Sequence, residues 1–163
     1  MTLQQARPGE IAMSERILAG TQEGLQVWRS RGSAWETLDV DLPSTTVDAI
    51  DGPDQRPQVI YASVAGEGLC RSDDGGQRWR AVFSGNVRAV TVDPTEPDVV
   101  YVGTEPIHVH RSEDGGKSWE EITALQQMPS EVRANWTYPR PPHREHVRHI
   151  FVSSYDPCLI YIC

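Results

Sequence analysis

Cysteine is scarce in this 163-residue chain, which has three, at positions 70, 158 and 163. The number is odd and the spacings match no zinc-binding pattern, so the sequence predicts neither a disulfide framework nor a structural zinc site. Free cysteines are typical of a reducing compartment. Cys70 falls within an apolar strand pattern, and we expect it to be a buried, small hydrophobic residue.

Long apolar segments and an excess of basic charge are also missing. No segment is long and apolar enough to predict a membrane span, and residues 1–14 lack an apolar stretch of signal-peptide length. We therefore expect a cytoplasmic protein with a disordered extension over residues 1–14. The formal net charge is −8, which repels phosphate backbones and argues against nucleic acid as a partner. No residue set indicates a cofactor, a metal or a catalytic reaction.

An internal repeat organises the rest of the chain. Three segments recur forty residues further on: Ile60–Ser63 as Val100–Gly103, Gly68–Arg71 as His108–Arg111, and Ser72–Trp79 as Ser112–Trp119. A weaker copy precedes them from Ile17, and a partial copy follows them from Val147. Each unit contains four apolar or alternating runs of strand length, separated by Gly, Pro and Asp.

A period of about forty residues with four strands in each unit is typical of a β-propeller blade. We therefore predict an all-β fold, a β-propeller of four-stranded antiparallel blades, at about residues 15–40, 45–84, 86–123 and 147–163. This makes about three and a half blades and an incomplete ring, since propellers have roughly four to eight. Open blade edges favour self-association. Either the chain is a fragment of a longer protein or other chains close the ring.

The turn inside two of the units has the pattern Ser-x-Asp-x-Gly-x-x-Trp. The matching residues are Ser72, Asp74, Gly76 and Trp79, and again Ser112, Asp114, Gly116 and Trp119. A short carboxylate can accept main-chain N–H bonds and close such a bend, and Gly permits positive φ. Trp then folds back and buries its ring. We interpret both Asp residues as structural, against the alternatives of catalysis or Ca²⁺ binding.

This pattern resembles the Asp box of sialidases, sortilin-type receptors and other BNR-repeat proteins. From about residue 15 onward the chain is similar to bacterial WD40/YVTN/BNR-like repeat proteins, many of them described as sialidase-like. The resemblance implies a propeller in which the Asp box is a fold element, remote from any active site. Sialidase-like catalysis would imply an arginine cluster, a Tyr–Glu nucleophile pair and an acid–base Asp, and none of these can be assigned from the spacing here.

An insertion of about twenty residues separates the last two units, near residues 124–146, since Tyr101 to Tyr161 spans sixty residues instead of forty. Long loops on repeat scaffolds often carry binding residues. We therefore name as ligand-binding candidates the aromatic, basic and histidine residues in and just after it: Trp136, Tyr138, Arg140, His143, Arg144, His146 and Arg148. Trp136 and Tyr138 could stack on a sugar ring beside an arginine-bound carboxylate, or pack the loop against its blade.

Histidines at positions 143, 146 and 149 raise the alternative of a metal site. Their spacing of three is helical, whereas the prolines at 139, 141 and 142 oppose a helix and the segment leads into a strand. On a strand, His143 and His146 would face opposite sides. We therefore expect ordinary surface or hydrogen-bonded histidines and no metal.

Three functions fit these features. The first is a non-catalytic binding or scaffolding propeller for a protein or carbohydrate ligand, which needs only blades and a loop-lined face. The second is a sialidase-like, exo-acting glycoside hydrolase, which requires carboxylates held across a pocket. The third, an assembly factor of the photosystem-associated propeller type, rests on fold analogy alone. The sequence favours the first.

Overall fold

The computed structural model describes residues 15–133, 136, 145–156 and 158–163. This part of the chain contains thirteen strands and one four-residue helix, α1 (Ser130–Arg133). Residues 1–14, for which the sequence predicts disorder, lie outside the described residues. No helix within the described ranges is long and apolar enough to cross a membrane.

The first two sheets are antiparallel and follow chain order. The first has the order β1–β2–β3, with strands at Arg16–Thr21, Gly24–Arg31 and Ala34–Leu38. The second has the order β4–β5–β6–β7, with strands at Val47–Asp51, Ile60–Val64, Gly68–Ser72 and Arg80–Phe83. An isolated parallel bridge between Asp41 and Arg78 links the connection after β3 to the second sheet.

The next two sheets repeat this arrangement. The third runs β8–β9–β10–β11, with strands at Val87–Val92, Val100–Thr104, Val109–Ser112 and Glu120–Glu121. The fourth is the hairpin of β12 (Ile150–Val152) and β13 (Ile160–Ile162). In both four-stranded sheets the register shifts between the first two strands, at Val47/Ala49 and at Val87/Ala89.

Hydrophobic clusters lie between successive sheets. Strands β5 and β9 are buried along their whole length, because each belongs to a sheet that has a neighbour on both faces. One cluster joins the first and second sheets through Leu25 and Val64. A second cluster, around Tyr61 and Val100, joins the second and third sheets, and a third joins the third sheet to the final hairpin. Burial of this apolar surface holds the sheets face to face.

A small residue at one repeat position brings neighbouring sheets close together. Ser63 donates a buried hydrogen bond of 2.7 Å from its hydroxyl to the carbonyl of Val87 in the next sheet. Gly103 stands at the equivalent position, where an added Cβ would lie 2.3 Å from a methyl carbon of Val147. The inter-sheet spacing therefore leaves no room for a larger side chain at these positions.

The expected four-stranded antiparallel sheets in an open, incomplete arrangement are confirmed. The outer faces of the end sheets keep large hydrophobic residues exposed, among them Ile17, Trp35, Phe151 and Tyr161. Cys70 is buried with 4% of its surface exposed, as the strand pattern predicts.

Candidate functional site

The turn at residues 72–79, which we call the first Ser–Asp turn, is closed by its own side chains. The Ser72 hydroxyl accepts a 2.9 Å hydrogen bond from the main-chain N–H of Gly76 and donates one to Asp74. Asp74 Oδ1 in turn accepts the main-chain N–H groups of Gln77 and Arg78, each at 3.0 Å. The Arg78 bond is the main reason why the pKa of Asp74 lies below its ordinary value.

The second Ser–Asp turn, residues 112–119, has the same geometry. Ser112 accepts from the N–H of Gly116 at 2.8 Å, and Asp114 Oδ1 accepts from Lys117 and Ser118 at 2.9 Å. The Ser118 hydroxyl adds a 2.6 Å bond to Asp114 Oδ2, and this bond contributes most to holding the pKa of Asp114 far below its usual range. Oδ1 of Asp74 and both oxygens of Asp114 accept hydrogen bonds inside their turns, which favours a structural role.

The tryptophans that end the two turns differ in their partners. Trp79 donates its indole N–H to the carbonyl of Gly76, within its own turn, at 3.0 Å. Trp119 donates instead to the carbonyl of Val82 in the preceding sheet, at 2.9 Å. Both rings pack on the cluster that lies between their own sheet and the one before it.

The ligand-binding candidates of the insertion are described only in part. Tyr138, Arg140, His143 and Arg144 lie outside the described residues. Trp136 is half-buried, and its main-chain N–H bonds to the carbonyl of Arg133 at 2.9 Å. His146 is half-buried, whereas Arg148 is exposed and its main-chain N–H bonds to the carbonyl of residue 163 at 2.7 Å.

Trp136 lines a cavity of about 120 Å³ between the insertion and the β9–β10 loop. Its walls contain both apolar and polar residues: Pro106, Ile107, His108, Leu125, Gln126, Arg133, Trp136 and Glu145. Ile107 and Leu125 also pack on the cluster beneath, which anchors the base of the cavity to the third sheet. The insertion therefore packs against the loop between β9 and β10 at this point.

A polar network borders the cavity. His108 Nδ1 lies 2.7 Å from Glu121 Oε1 and 3.1 Å from Gln126 Nε2. The contact with His108 holds the pKa of Glu121 below its ordinary value. Gln126 also donates to the carbonyl of Ile107 at 3.1 Å. Its Oε1 is buried and accepts no hydrogen bond from the part of the chain that the structure describes.

This buried oxygen is the unusual feature of the network beside the cavity. An acceptor that is withdrawn from water without a donor costs about 1–3 kcal/mol. Buried side-chain oxygens in proteins are therefore generally paired, and an exception calls for a functional or structural reason. Gln126 lines the cavity, and within the described residues no such donor reaches its Oε1.

A row of rings leads away from the same network. The His108 and His110 rings are 6.3 Å apart, His110 lies 4.9 Å from Phe83, and Phe83 lies 5.2 Å from Trp119. Burial lowers the pKa of His110, so that neutral imidazole is favoured there. The row runs from the third sheet to Phe83 of the second and returns to Trp119 of the third, and all four residues are half-buried.

Sequence reasoning missed His108, Gln126 and Glu121. One signal could have found two members of this surface, because His108 and His110 stand where the preceding repeat has Gly68 and Cys70. A departure from the repeat beside the insertion indicates a position that the repeat itself does not explain. Gln126 had no comparable signal, since its importance depends on how the insertion folds back.

The largest of the cavities described is a separate cleft of about 460 Å³ at the other end of the sheets. It lies between the first and second sheets and is bordered by Arg16, Asp51 and Asp54. Burial raises the pKa of Asp51. Both Asp51 oxygens nevertheless accept main-chain N–H bonds, from Gly52 at 2.9 Å and from Val92 at 2.8 Å. Asp51 thus links the end of β4 to β8 through its hydrogen bond with Val92.

Within the described ranges no group of three His, Cys, Asp or Glu side chains is placed to hold a metal ion. Of the histidine set at 143, 146 and 149, His143 lies outside these ranges.

Comparison with known proteins identifies the class of fold. No family model matches the chain, and no curated protein sequence matches it. An ancestral GH74 enzyme is similar over 90% of this chain, with a TM-score of 0.66 and 15% identity. The GH74 enzyme of Niastella koreensis is similar over 86%, with a TM-score of 0.56 and 15% identity. YCF48 bound to D1 peptide is similar over 63%, with a TM-score of 0.47 and 20% identity.

The chain is therefore an incomplete β-propeller, as the repeat predicts. It spans 20% and 22% of the length of the two GH74 enzymes and 35% of that of YCF48. At these identities the similarity concerns the fold.

Proposed function

We propose that this protein is a non-catalytic binding or scaffolding propeller of the Asp-box, BNR-repeat kind, and that its ligand contacts the cavity between the insertion and the β9–β10 loop. The observation that carries the proposal is Gln126, which lines that cavity and whose buried Oε1 accepts no hydrogen bond from the described part of the chain. The ligand supplies a hydroxyl or N–H donor to this oxygen.

The chemistry of the surrounding surface supports a ligand that is both polar and ring-stacking. Trp136 offers an aromatic face, Arg133 and Glu145 offer one charge of each sign, and the His108–Glu121 pair offers a polar border. Such a mixture suits a carbohydrate or a segment of another protein. Neither class needs a metal or a cofactor.

A ligand screen with matched variants tests this proposal. The full chain is assayed against immobilised glycans and peptides, and hits are measured by calorimetry. Trp136→Ala and Gln126→Leu are expected to weaken binding at least tenfold. Trp35→Ala is the control, because Trp35 is exposed on the first sheet, away from the insertion. Equal losses in all three variants, or none in the first two, would contradict this binding site.

A sialidase-like glycoside hydrolase is the second candidate, and one observation favours it. Asp51 borders the larger cleft, and its raised pKa is what a general acid requires. The two main-chain bonds to its oxygens favour a structural role instead. Assay of sialosides and aryl glycosides decides between these roles. Turnover that Asp51→Asn abolishes in a folded protein would establish the enzyme, and we expect no turnover.

An assembly factor is the third candidate. A pull-down with this chain as bait would then recover a defined protein complex, and the glycoside assays would show no turnover.

A further inference from the structure

His108 and Glu121 form a pair that the preceding repeat lacks. His108 Nδ1 lies 2.7 Å from Glu121 Oε1. Forty residues earlier the equivalent positions hold Gly68 and Ala81, whose side chains cannot form such a pair. Both members of the pair therefore occur together in the third sheet, beside the insertion.

The hairpin of β10 and β11 fixes the position of the His108 ring. Glu121 stands opposite His110 in the register of these two strands. The rings of His108 and His110 are 6.3 Å apart, so both histidines lie on the side of the sheet that carries Glu121. The main chain is held as well, because the carbonyl of His108 accepts the N–H of Thr104 at 3.0 Å. The imidazole is thus oriented by its own hairpin.

The charge of Glu121 determines which nitrogen of His108 carries the hydrogen. The contact with His108 lowers the pKa of Glu121, so its carboxylate is ionised at neutral pH and can only accept a hydrogen bond. A hydrogen on Nδ1 satisfies this carboxylate, whereas a bare Nδ1 would place two acceptors 2.7 Å apart. Gln126 Nε2, at 3.1 Å from the same nitrogen, then donates to the carbonyl of Ile107 instead. The hydrogen of the neutral imidazole therefore lies on Nδ1.

This arrangement leaves Nε2 of His108 as a hydrogen-bond acceptor. A neutral imidazole has one donor and one acceptor, so a carboxylate that holds Nδ1–H leaves the lone pair on Nε2. Within the described ranges Nε2 makes no hydrogen bond, and the His108 side chain is 42% exposed. His108 and Gln126 both line the cavity beside Trp136. Two acceptors of cavity residues thus lack a donor from the described part of the chain, His108 Nε2 and Gln126 Oε1.

We propose that His108 Nε2 accepts a hydrogen bond from a hydroxyl group of a sugar, and that it does so only while the imidazole is neutral. This assignment rests on the proposed function, because it takes the same cavity as the ligand site. A sugar carries several hydroxyl donors and an apolar face, which suit the two acceptors and the ring of Trp136. A second proton on His108 would turn Nε2 into a donor and remove the acceptor.

Titratable and charged groups from several elements surround this imidazole. Glu121 belongs to β11, and His110 belongs to β10. Arg133 of α1 and Glu145 near the end of the insertion line the same cavity with opposite charges. Because imidazole groups change charge between about pH 5 and pH 8, sugar binding should be strong at about pH 8 and weak at about pH 5.

Two measurements on the full chain test the assignment without a ligand. Nitrogen NMR of the histidine rings should place the hydrogen of neutral His108 on Nδ1, and Glu121→Gln should give a mixture of both forms. Diethyl pyrocarbonate, which modifies unprotonated imidazole nitrogens, should modify His108 at about pH 8 as readily as the exposed His149. Glu120→Gln removes the same charge one residue away and should change neither result.

A third measurement applies the chain to arrays of immobilised neutral glycans and peptides at about pH 8 and about pH 5. Glycan binding should weaken by about fivefold or more at the lower pH, and to a similar extent in His108→Ala at the higher pH. His108→Gln, whose amide oxygen can take the place of Nε2, should keep part of the affinity and lose most of the pH dependence. His149→Gln is the control, because it removes an exposed histidine outside the cavity. Melts check that each variant is folded.

The outcomes separate this assignment from the proposed function. A hydrogen on Nε2, or glycan binding that is equal at the two pH values, would overturn the assignment. Protection of His108 from diethyl pyrocarbonate would do the same, since another part of the chain would then cover Nε2. Binding to peptides alone would exclude the sugar and keep the cavity as a binding site. No binding to either array would exclude the proposed function together with the sugar, whereas NMR locates the hydrogen on His108 in every case.

Discussion

Arg71 donates a 2.6 Å hydrogen bond to the carbonyl of Gly115, which lies forty-four residues further along the chain. The bond joins the second sheet to the turn of the third, and the guanidinium that makes it is largely buried. Because hydrogen bonds to charged groups are worth more than neutral ones, this contact is a strong link between two successive sheets.

Arg71→Gln should therefore lower the free energy of unfolding by about 1.5–3 kcal/mol, the usual range for a hydrogen bond to a charged group. Arg111→Gln should lower it by less than about 0.5 kcal/mol, because Arg111 is more exposed. Urea denaturation followed by circular dichroism measures both. Equal losses in the two variants would show that the contact with Gly115 is not what stabilises the chain.

Ser72→Ala should destabilise the protein by about 1–3 kcal/mol, since it leaves the buried N–H of Gly76 without its acceptor. Ser112→Ala should act in the same direction through Gly116. Ser33→Ala is the matched control at an exposed turn. A melting temperature for Ser72→Ala that equals that of the control would remove the argument that these serines close the turns.

Acid should destabilise the fold through Asp74 and Asp114. Both have a pKa in the folded protein below the ordinary value of about 3.9. The folded state then binds fewer protons than the unfolded state, so this contribution is complete above that value and is lost as the pH falls through the lowered pKa. Asp51, with its raised pKa, acts oppositely, because its contribution is complete at low pH and is lost as the pH rises.

Thermal melts between pH 7 and pH 2 measure the sum of these opposing contributions. We expect the melting temperature to decrease once the pH is below about 4. The variant with both Asp74→Asn and Asp114→Asn should start lower at pH 7 and fall less steeply on acidification. An unchanged slope would mean that other carboxylates dominate acid unfolding.

Gly103→Ala should destabilise by about 1–3 kcal/mol, because the new methyl group overlaps Val147. Val147→Ala in the same chain should relieve part of this loss, so that the double variant is more stable than the sum of the two single changes predicts. If the losses of stability in the two single variants were fully additive, the overlap with Val147 would not be the cause, and the two sheets would instead move apart to accommodate the methyl group.

The fold could be predicted from the sequence because the same strand pattern occurs more than once. Tyr61 and Tyr101, or Trp79 and Trp119, keep one spacing of forty residues, and each copy supports the strand assignment of the other. The sequence pattern could not predict that the two tryptophans have different hydrogen-bond partners. Trp79 bonds within its turn, whereas Trp119 reaches Val82 of the preceding sheet, and the same pattern accommodates both.

The site was less accessible to prediction, since it depends on an insertion that has no second copy in the chain. The contact of His108 with Glu121 follows from the pairing of β10 with β11, and that of Gln126 with His108 from the fold of residues 122–133. Trp136 was nominated from its chemistry alone. The Gln126 oxygen becomes unusual only once its surroundings are known.

The burial of β5 along its whole length, with a cluster on each face, has a consequence for the order in which the protein opens. In the part of the chain that the structure describes, each sheet packs only on its neighbours, so the second and third sheets have two supports and the first sheet and the final hairpin have one. Fraying should start at β1 and β13 and move inward. Amide hydrogen exchange should therefore form a gradient along the chain, slowest at Tyr61 and Ala62 and fastest in the final hairpin.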